Sequence, residues 1–184
     1  DDLVNISVKN HMHGLDNEYA HIRKDVSFDK AQNGFMVADP LTLYDCCPTS
    51  DGASTVILAA DTVAKSLCED PVCVLGSVAG SDHLGLHERP SITQLISSQR
   101  AAASAYGQAG ITANDIDLAE VHDCFTIAEL MATEDLGFAP RGEGGIFARE
   151  GRGRRNEGSV TINASGGLKS KGHPLGATGT GQVV

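Results

Sequence analysis

The sequence predicts an α/β fold, and three observations lead there. Residues 54–60 and 71–80 are short, β-branched apolar runs of the kind that fit buried strands. After the second run comes a long amphipathic helical stripe. Two later segments, around "VHDCF" and "NASGG", each close a strand and open a helix. Such junctions at strand carboxyl ends are where open α/β sheets place their ligands.

Residues 1–45 lack a sustained period. The stretch "NHMHGLDNEYAHIRKDVSFDKAQNGFMVADP" alternates short polar and apolar pieces with turn residues throughout. It therefore predicts loop with room for one short helix, packed on some other body. Pro48 and "SDG" make a turn, and the strands at 54–60 and 71–80 follow. Ser91 and Gln94 stand at capping-box spacing ahead of a stripe of Ile92, Leu95, Ile96, Ala103 and Tyr106, which closes at Gly107 or Gly110.

"NDIDLAEVHD" reads as a short strand whose end delivers His122, Asp123 and Cys124. The next helix has Thr126 and Glu129 at capping-box spacing, Ile127, Leu130 and Met131 facing inward, and Gly137 as its stop. Residues 159–163 form the last strand, followed by six glycines between 166 and 181. Glycine at that density lets backbone approach a ligand or another segment closely. Pro174 suits the first turn of a final helix of about two turns. Because "QVV" carries no stop signal, the chain is expected to be a piece of something longer.

With 41% hydrophobic residues and charges of both signs spread along it, the chain is not of the disordered class. No apolar run reaches membrane-spanning length, and the acidic start "DDLVNISVKN" is unlike a signal peptide, so a soluble protein is expected. A formal net charge of −10 argues against nucleic acid as the main partner. One basic run, Arg149, Arg152, Arg154 and Arg155, could meet a phosphorylated ligand or RNA, though charge runs of this kind more often lie solvated. Five cysteines in no regular frame favour a reducing compartment over a disulfide scaffold. The pairs His11/His13 and His83/His87 lack a second ligand pair at zinc spacing, so no metal site is expected.

Two loops carry the chemistry. Cys124 lies where a helix begins, two residues after His122, a position that can poise a thiol for proton work. Asp123 opposes this if it faces the sulfur, and turns instead to backbone if it behaves like other short acids at helix starts. An ordinary strand-to-helix loop would have the same residues. His173, pinned in "KGHP", would have its ring placed before substrate arrives, as a general base or oxyanion donor needs. The six-residue run "GATGTG" has the wrong order for a dinucleotide fingerprint, and "GGLKSKG" lacks the ending of a phosphate-binding loop.

Together, "HDCF" at 122–125 and "NASGGLKSKGHPLGATGTGQ" at 163–182 resemble the thiolase family, specifically its sterol-carrier-protein-associated branch. "CCPTSDGA" and "HGLDNEY" resemble the domain join and part of the loop domain of that branch. The resemblance implies a three-layer αβα C-terminal half, truncated, with residues 1–45 as the end of a loop domain and 46–184 as an incomplete C-terminal domain. It implies an acyltransferase that cleaves 3-ketoacyl-CoA or condenses acyl-CoAs through an acyl-cysteine intermediate. His173 would activate the nucleophile, His122 would line an oxyanion site, and Cys124 would be the acid/base thiol. Coenzyme A thioesters would be substrates, with no separate cofactor and no assigned cofactor-binding residues.

One departure stands against the matches. None of Cys46, Cys47, Cys68 or Cys73 is in a context like that of the thiolase nucleophile, and the last glycine-rich loop of the family is absent. The resemblance therefore implies half an active site, inactive alone, within a parent that is a homodimer or homotetramer of the peroxisome or mitochondrion. A non-catalytic thiolase-like CoA-binding or scaffold protein is the alternative, and a condensing synthase on the same fold is a third reading that HDCF opposes.

Overall fold

The computed structural model describes residues 1–184. It begins with a 13-residue helix, α1 (Asp2–Gly14), followed by α2 (Phe28–Gln32) and a small antiparallel hairpin of β1 (Met36–Ala38) and β2 (Leu41–Thr42). The expectation of loop with one short helix fails here for a physical reason. The buried side of α1 carries Ser7, Lys9, Asn10, His11 and His13 beside Val4 and Ile6, so no apolar period marks it.

From the middle of the chain come α3 (Asp61–Leu67), α4 (Ile96–Ala109), β3 (Leu118–Ala119) and α5 (Thr126–Asp135). Then follow α6 (Gly144–Arg149), β4 (Thr161–Ile162), α7 (Gly167–Ser170) and α8 (Thr178–Gly181). Helix α1 packs against α2, α5, α6 and α7, so the N-terminal segment is the hub of the later elements. β3 and β4 pair in parallel, Leu118 opposite Thr161. Beneath them Val121, Ala139, Phe147, Val160 and Ile162 form one apolar core; a second, smaller one gathers Val4, Val26 and Ala31. No helix is long and apolar enough to cross a membrane.

The two apolar runs do not form strands. Residues 54–60 and 71–80 pair with no neighbour, and Ile57 and Val72 are 88% and 96% exposed. An apolar β-branched run becomes a strand only beside a partner that takes its N–H and C=O groups. The one polar tie of the second run is to a helix: the Ser77 N–H donates to Gln108 Oε1 on α4 at 3.1 Å.

Helix boundaries also move where side chains find other work. Ser91 Oγ accepts the Thr93 N–H in a local turn, and α4 starts at Ile96, where the Leu95 N–H donates to the Asp135 carboxylate. It closes at Gly110, with φ +70, one of the two stops the sequence offered. In α5 the expected capping box is absent: Thr126 Oγ1 donates to Asp45 Oδ1 at 2.6 Å and Glu129 is turned into the interior. Accordingly Thr126, Glu129, Thr133 and Asp135 are the buried residues of that helix, while Ile127 is exposed. Gly137, φ +85, follows its end as expected. The last helix is one turn instead of two and begins at Thr178, four residues beyond Pro174.

Two histidines of α1 tie stability to pH. His11 packs edge-on to Tyr44 with Nδ1 unpartnered, and burial, then Lys169 and Lys30, hold its pKa down at about 4. His13 is held at about 4 by burial and then by Lys9. Between the unfolded value of 6.5 and about 4, the unfolded chain binds more protons at each, so stability falls as pH drops through that window. Each histidine is worth about 3 kcal/mol by this linkage. Asp123, whose pKa burial and Glu129 raise, works in the opposite sense. The urea midpoint should therefore fall between pH 7 and pH 4.5, and His11→Phe, which also removes the unpartnered nitrogen, should flatten that slope without lowering the midpoint at pH 7.

Candidate functional site

The site is assembled by polar side chains that fix backbone. Asn163, fully buried at φ +56, ends β4; its Oδ1 accepts the Val121 N–H at 2.8 Å and its Nδ2 donates to Glu129 Oε2 at 2.7 Å. Asp123, also fully buried, accepts the Leu168 N–H at 2.7 Å and Asn10 Nδ2 at 2.8 Å. It thus turns away from its neighbouring thiol and holds the start of α7. Gly167, φ +57, is required there, since a Cβ at that position would collide with the Asp123 carboxylate. Glu129 completes the network with Lys9 Nζ at 2.9 Å and Asn10 Nδ2 at 2.7 Å.

A third segment enters between the two loops. Cys46 forms a single antiparallel bridge with Phe125, and the Cys47 N–H donates to the Cys124 carbonyl at 3.0 Å. Three residues on, Thr49 forms a parallel bridge with His173, and the His173 N–H donates to Ser50 Oγ at 3.2 Å. The buried Lys169 ammonium donates to the Asp45 carbonyl and ties this segment to α7. Residues 46–50 therefore touch both sequence-marked loops.

The imidazoles of His122 and His173 meet edge to face, with ring centroids 4.8 Å apart at 82°. Burial, and then His173, push the His122 pKa below its ordinary value, which favours the neutral ring. The tautomer of His173 follows from its partner. Thr178 Oγ1 donates its one proton to the Pro174 carbonyl at 2.9 Å, so at 2.7 Å it can only accept from His173 Nδ1. Nδ1 carries the hydrogen, and Nε2 keeps the lone pair that a general base needs. Cys124 is half-buried across the bridge from Cys47, whose thiol burial pushes up.

Beside the His173 loop opens a cleft of about 900 Å³, lined among others by Tyr19, His21, Ser50, Arg155 and Lys171. That volume lies in the range of small-molecule sites. Of the basic run, only Arg155 reaches it. Arg149, Arg152, Arg154 and Arg155 each pair with a carboxylate, of Asp2, Glu150, Glu157 and Asp16. Sequence reading marked His122, Cys124 and His173 but passed over Cys47, Ser50, Thr178 and the α1 residues. The signals available for Cys47 were its place beside the turn at Pro48 and the motif "CCPTSDGA".

Residues 78–184 match the sequence signature of a family described as thiolase C-terminal domain-like. The chain is 44% identical over 182 residues to an acetyl-CoA acetyltransferase of Methanothermobacter thermautotrophicus, covering 99% of this chain and 47% of that protein. It is 39% identical over 187 residues to sterol carrier protein 2 of Oryctolagus cuniculus, covering 99% of this chain and 34% of that protein. A solved structure titled Ltp2-ChsH2(DUF35) aldolase superposes with a TM-score of 0.87 at 26% identity, over 98% of this chain and 48% of that one. The chain thus spans about half, or less, of the length of these proteins.

Removing the carboxylate of Glu129 leaves the buried Lys9 ammonium without its ion-pair partner. Glu129→Ala is expected to lower the unfolding free energy by about 3–5 kcal/mol. Arg152→Ala, at an exposed pair, should change it by less than about 1 kcal/mol. Urea denaturation of both variants provides the comparison.

Proposed function

The chain belongs to the thiolase family, and we propose that it supplies the two-histidine, one-thiol half of an acyl-CoA acyltransferase site. The nucleophilic cysteine is then provided by a segment outside this chain. The observation that carries the reading is the contact of the His122 and His173 rings beside the bridge that holds Cys124.

In this reading the thioester of a 3-ketoacyl-CoA lies next to His122, beside the ring of His173. His173 Nε2 takes the proton of the incoming thiol, whose sulfur attacks the 3-keto carbon. The carbon–carbon bond breaks, and its electron pair forms the enolate of the shorter acyl-CoA. His122, neutral and carrying one N–H, donates to the enolate oxygen. The Cys124 thiol then delivers its proton to the α-carbon. Coenzyme A finally takes the acyl group from the cysteine, so the thioesters are substrates and no separate cofactor is needed. A homodimeric or homotetrameric parent, in peroxisome or mitochondrion, belongs to the same proposal through the family resemblance.

A second reading is favoured by the fold match to a protein titled aldolase. Carbon–carbon cleavage by general base and oxyanion donor alone would use the two histidines without an acyl-cysteine. Mass spectrometry of the parent after a pulse of acyl-CoA separates the two: an acyl adduct on cysteine is expected for the thiolase and none for the aldolase. In the parent, Cys124→Ala or His173→Ala should each slow thiolysis at least about a hundredfold; near-normal rates in either would overturn the assignment.

A further inference from the structure

We infer that Cys47 and Cys124 form an oxidative modification site, a dithiol that a peroxide converts to a reversible disulfide. The bridge of Cys46 with Phe125 sets Cys47 directly opposite Cys124, and the hydrogen bond from the Cys47 N–H to the Cys124 carbonyl fixes that register. Directly opposed residues of an antiparallel pair share a face, with Cα atoms about 5.5 Å apart. A disulfide spans roughly 4.4–6.8 Å between Cα atoms, so the separation expected of this pair lies within its reach.

Neighbouring residues alternate faces, and Cys46 does so: its Sγ donates to the Thr42 carbonyl at 3.5 Å, away from Cys124. Cys68 and Cys73 are exposed, on the separate run that includes the unpaired apolar segment. Both members of the pair are half-buried, open enough for a small peroxide. Cys124 stands two residues before the start of α5, a position that favours a thiolate, and is the sulfur that reacts first; Cys47, whose thiol burial pushes up, is the one that resolves.

Hydrogen peroxide is the oxidant. The Cys124 thiolate attacks one peroxide oxygen, the O–O bond breaks, and hydroxide leaves, giving a sulfenic acid. Cys47 sulfur then displaces that oxygen as water. In sum two thiols and one peroxide give one disulfide and two waters; each sulfur loses one electron, and each peroxide oxygen gains one. A dithiol reductant restores both thiols by exchange. Where Cys124 is the acid/base thiol of the proposed function, oxidation also switches the reaction off.

The test needs no activity, so its outcome is independent of that reading. The 184-residue chain is treated with hydrogen peroxide, its remaining thiols are alkylated, and tryptic peptides are analysed by mass spectrometry. Cys46 and Cys47 fall on peptide 31–65, Cys68 and Cys73 on 66–100, and Cys124 on 101–141. The expected product is peptide 31–65 joined to 101–141, two hydrogens lighter than their sum and split by dithiothreitol. Cys46→Ser should retain the link. Cys47→Ser should abolish it and leave Cys124 as sulfinic or sulfonic acid; Cys47→Ala gives the same readout if the hydroxyl disturbs the site. Wild type without this linked peptide, or a link lost in Cys46→Ser and kept in Cys47→Ser, overturns the inference.

Discussion

Glu129 is 2% exposed and accepts hydrogen bonds from Lys9, Asn10 and Asn163, three side chains from two distant parts of the chain. An ionised carboxylate so far from water is tolerable only when donors and a counter-charge surround it. Meeting that demand sets the architecture. Helix α1 must lie against α5 with its polar side inward, and Asn163 must leave β4 in the left-handed region to reach across. Buried polar side chains outnumber buried apolar ones in this molecule, so the apolar effect fills space around a framework that hydrogen bonds specify.

The same framework reaches the chemistry in one further step. Asn10 links Glu129 to Asp123, and Asp123 holds the Leu168 N–H, so the two loops that carry His122, Cys124 and His173 hang from neighbouring atoms of one network. Residues 46–50 lock them from the other side through the bridges to Phe125 and His173. Thr178 then chooses the tautomer of His173 through its own bond to Pro174. A rigid first layer of reactive groups with fixed proton positions is what positional catalysis demands.

How much of this could be read in advance depended on what kind of signal each element left. Helix α4 was legible from its terminal Gly110 and from part of its apolar stripe, Ile92 and Leu95 lying before it, and the two loops were legible because "HDCF" and "KGHP" stand at strand-to-helix junctions and resemble thiolase motifs. Helix α1 was illegible because its buried positions are Lys9, Asn10, His11 and His13, which mimic a solvent face. The runs at 54–60 and 71–80 misled in the other direction, since composition marks a strand's willingness to pair and says nothing of a partner. Cys47 and Thr178 could not be chosen, as their roles come from contacts with residues 77 positions later and five positions earlier, respectively.

Native-state hydrogen exchange tests the central claim most directly, because the Leu168 and Val121 amides donate to side chains of the network and to no backbone carbonyl. If the buried carboxylates and Asn163 fix both loops, these two amides exchange only through global unfolding, as slowly as the slowest amides of α1 and α5. Exchange at the rate of the unpaired 54–60 segment would show that the loops open independently of the network, and would contradict the account.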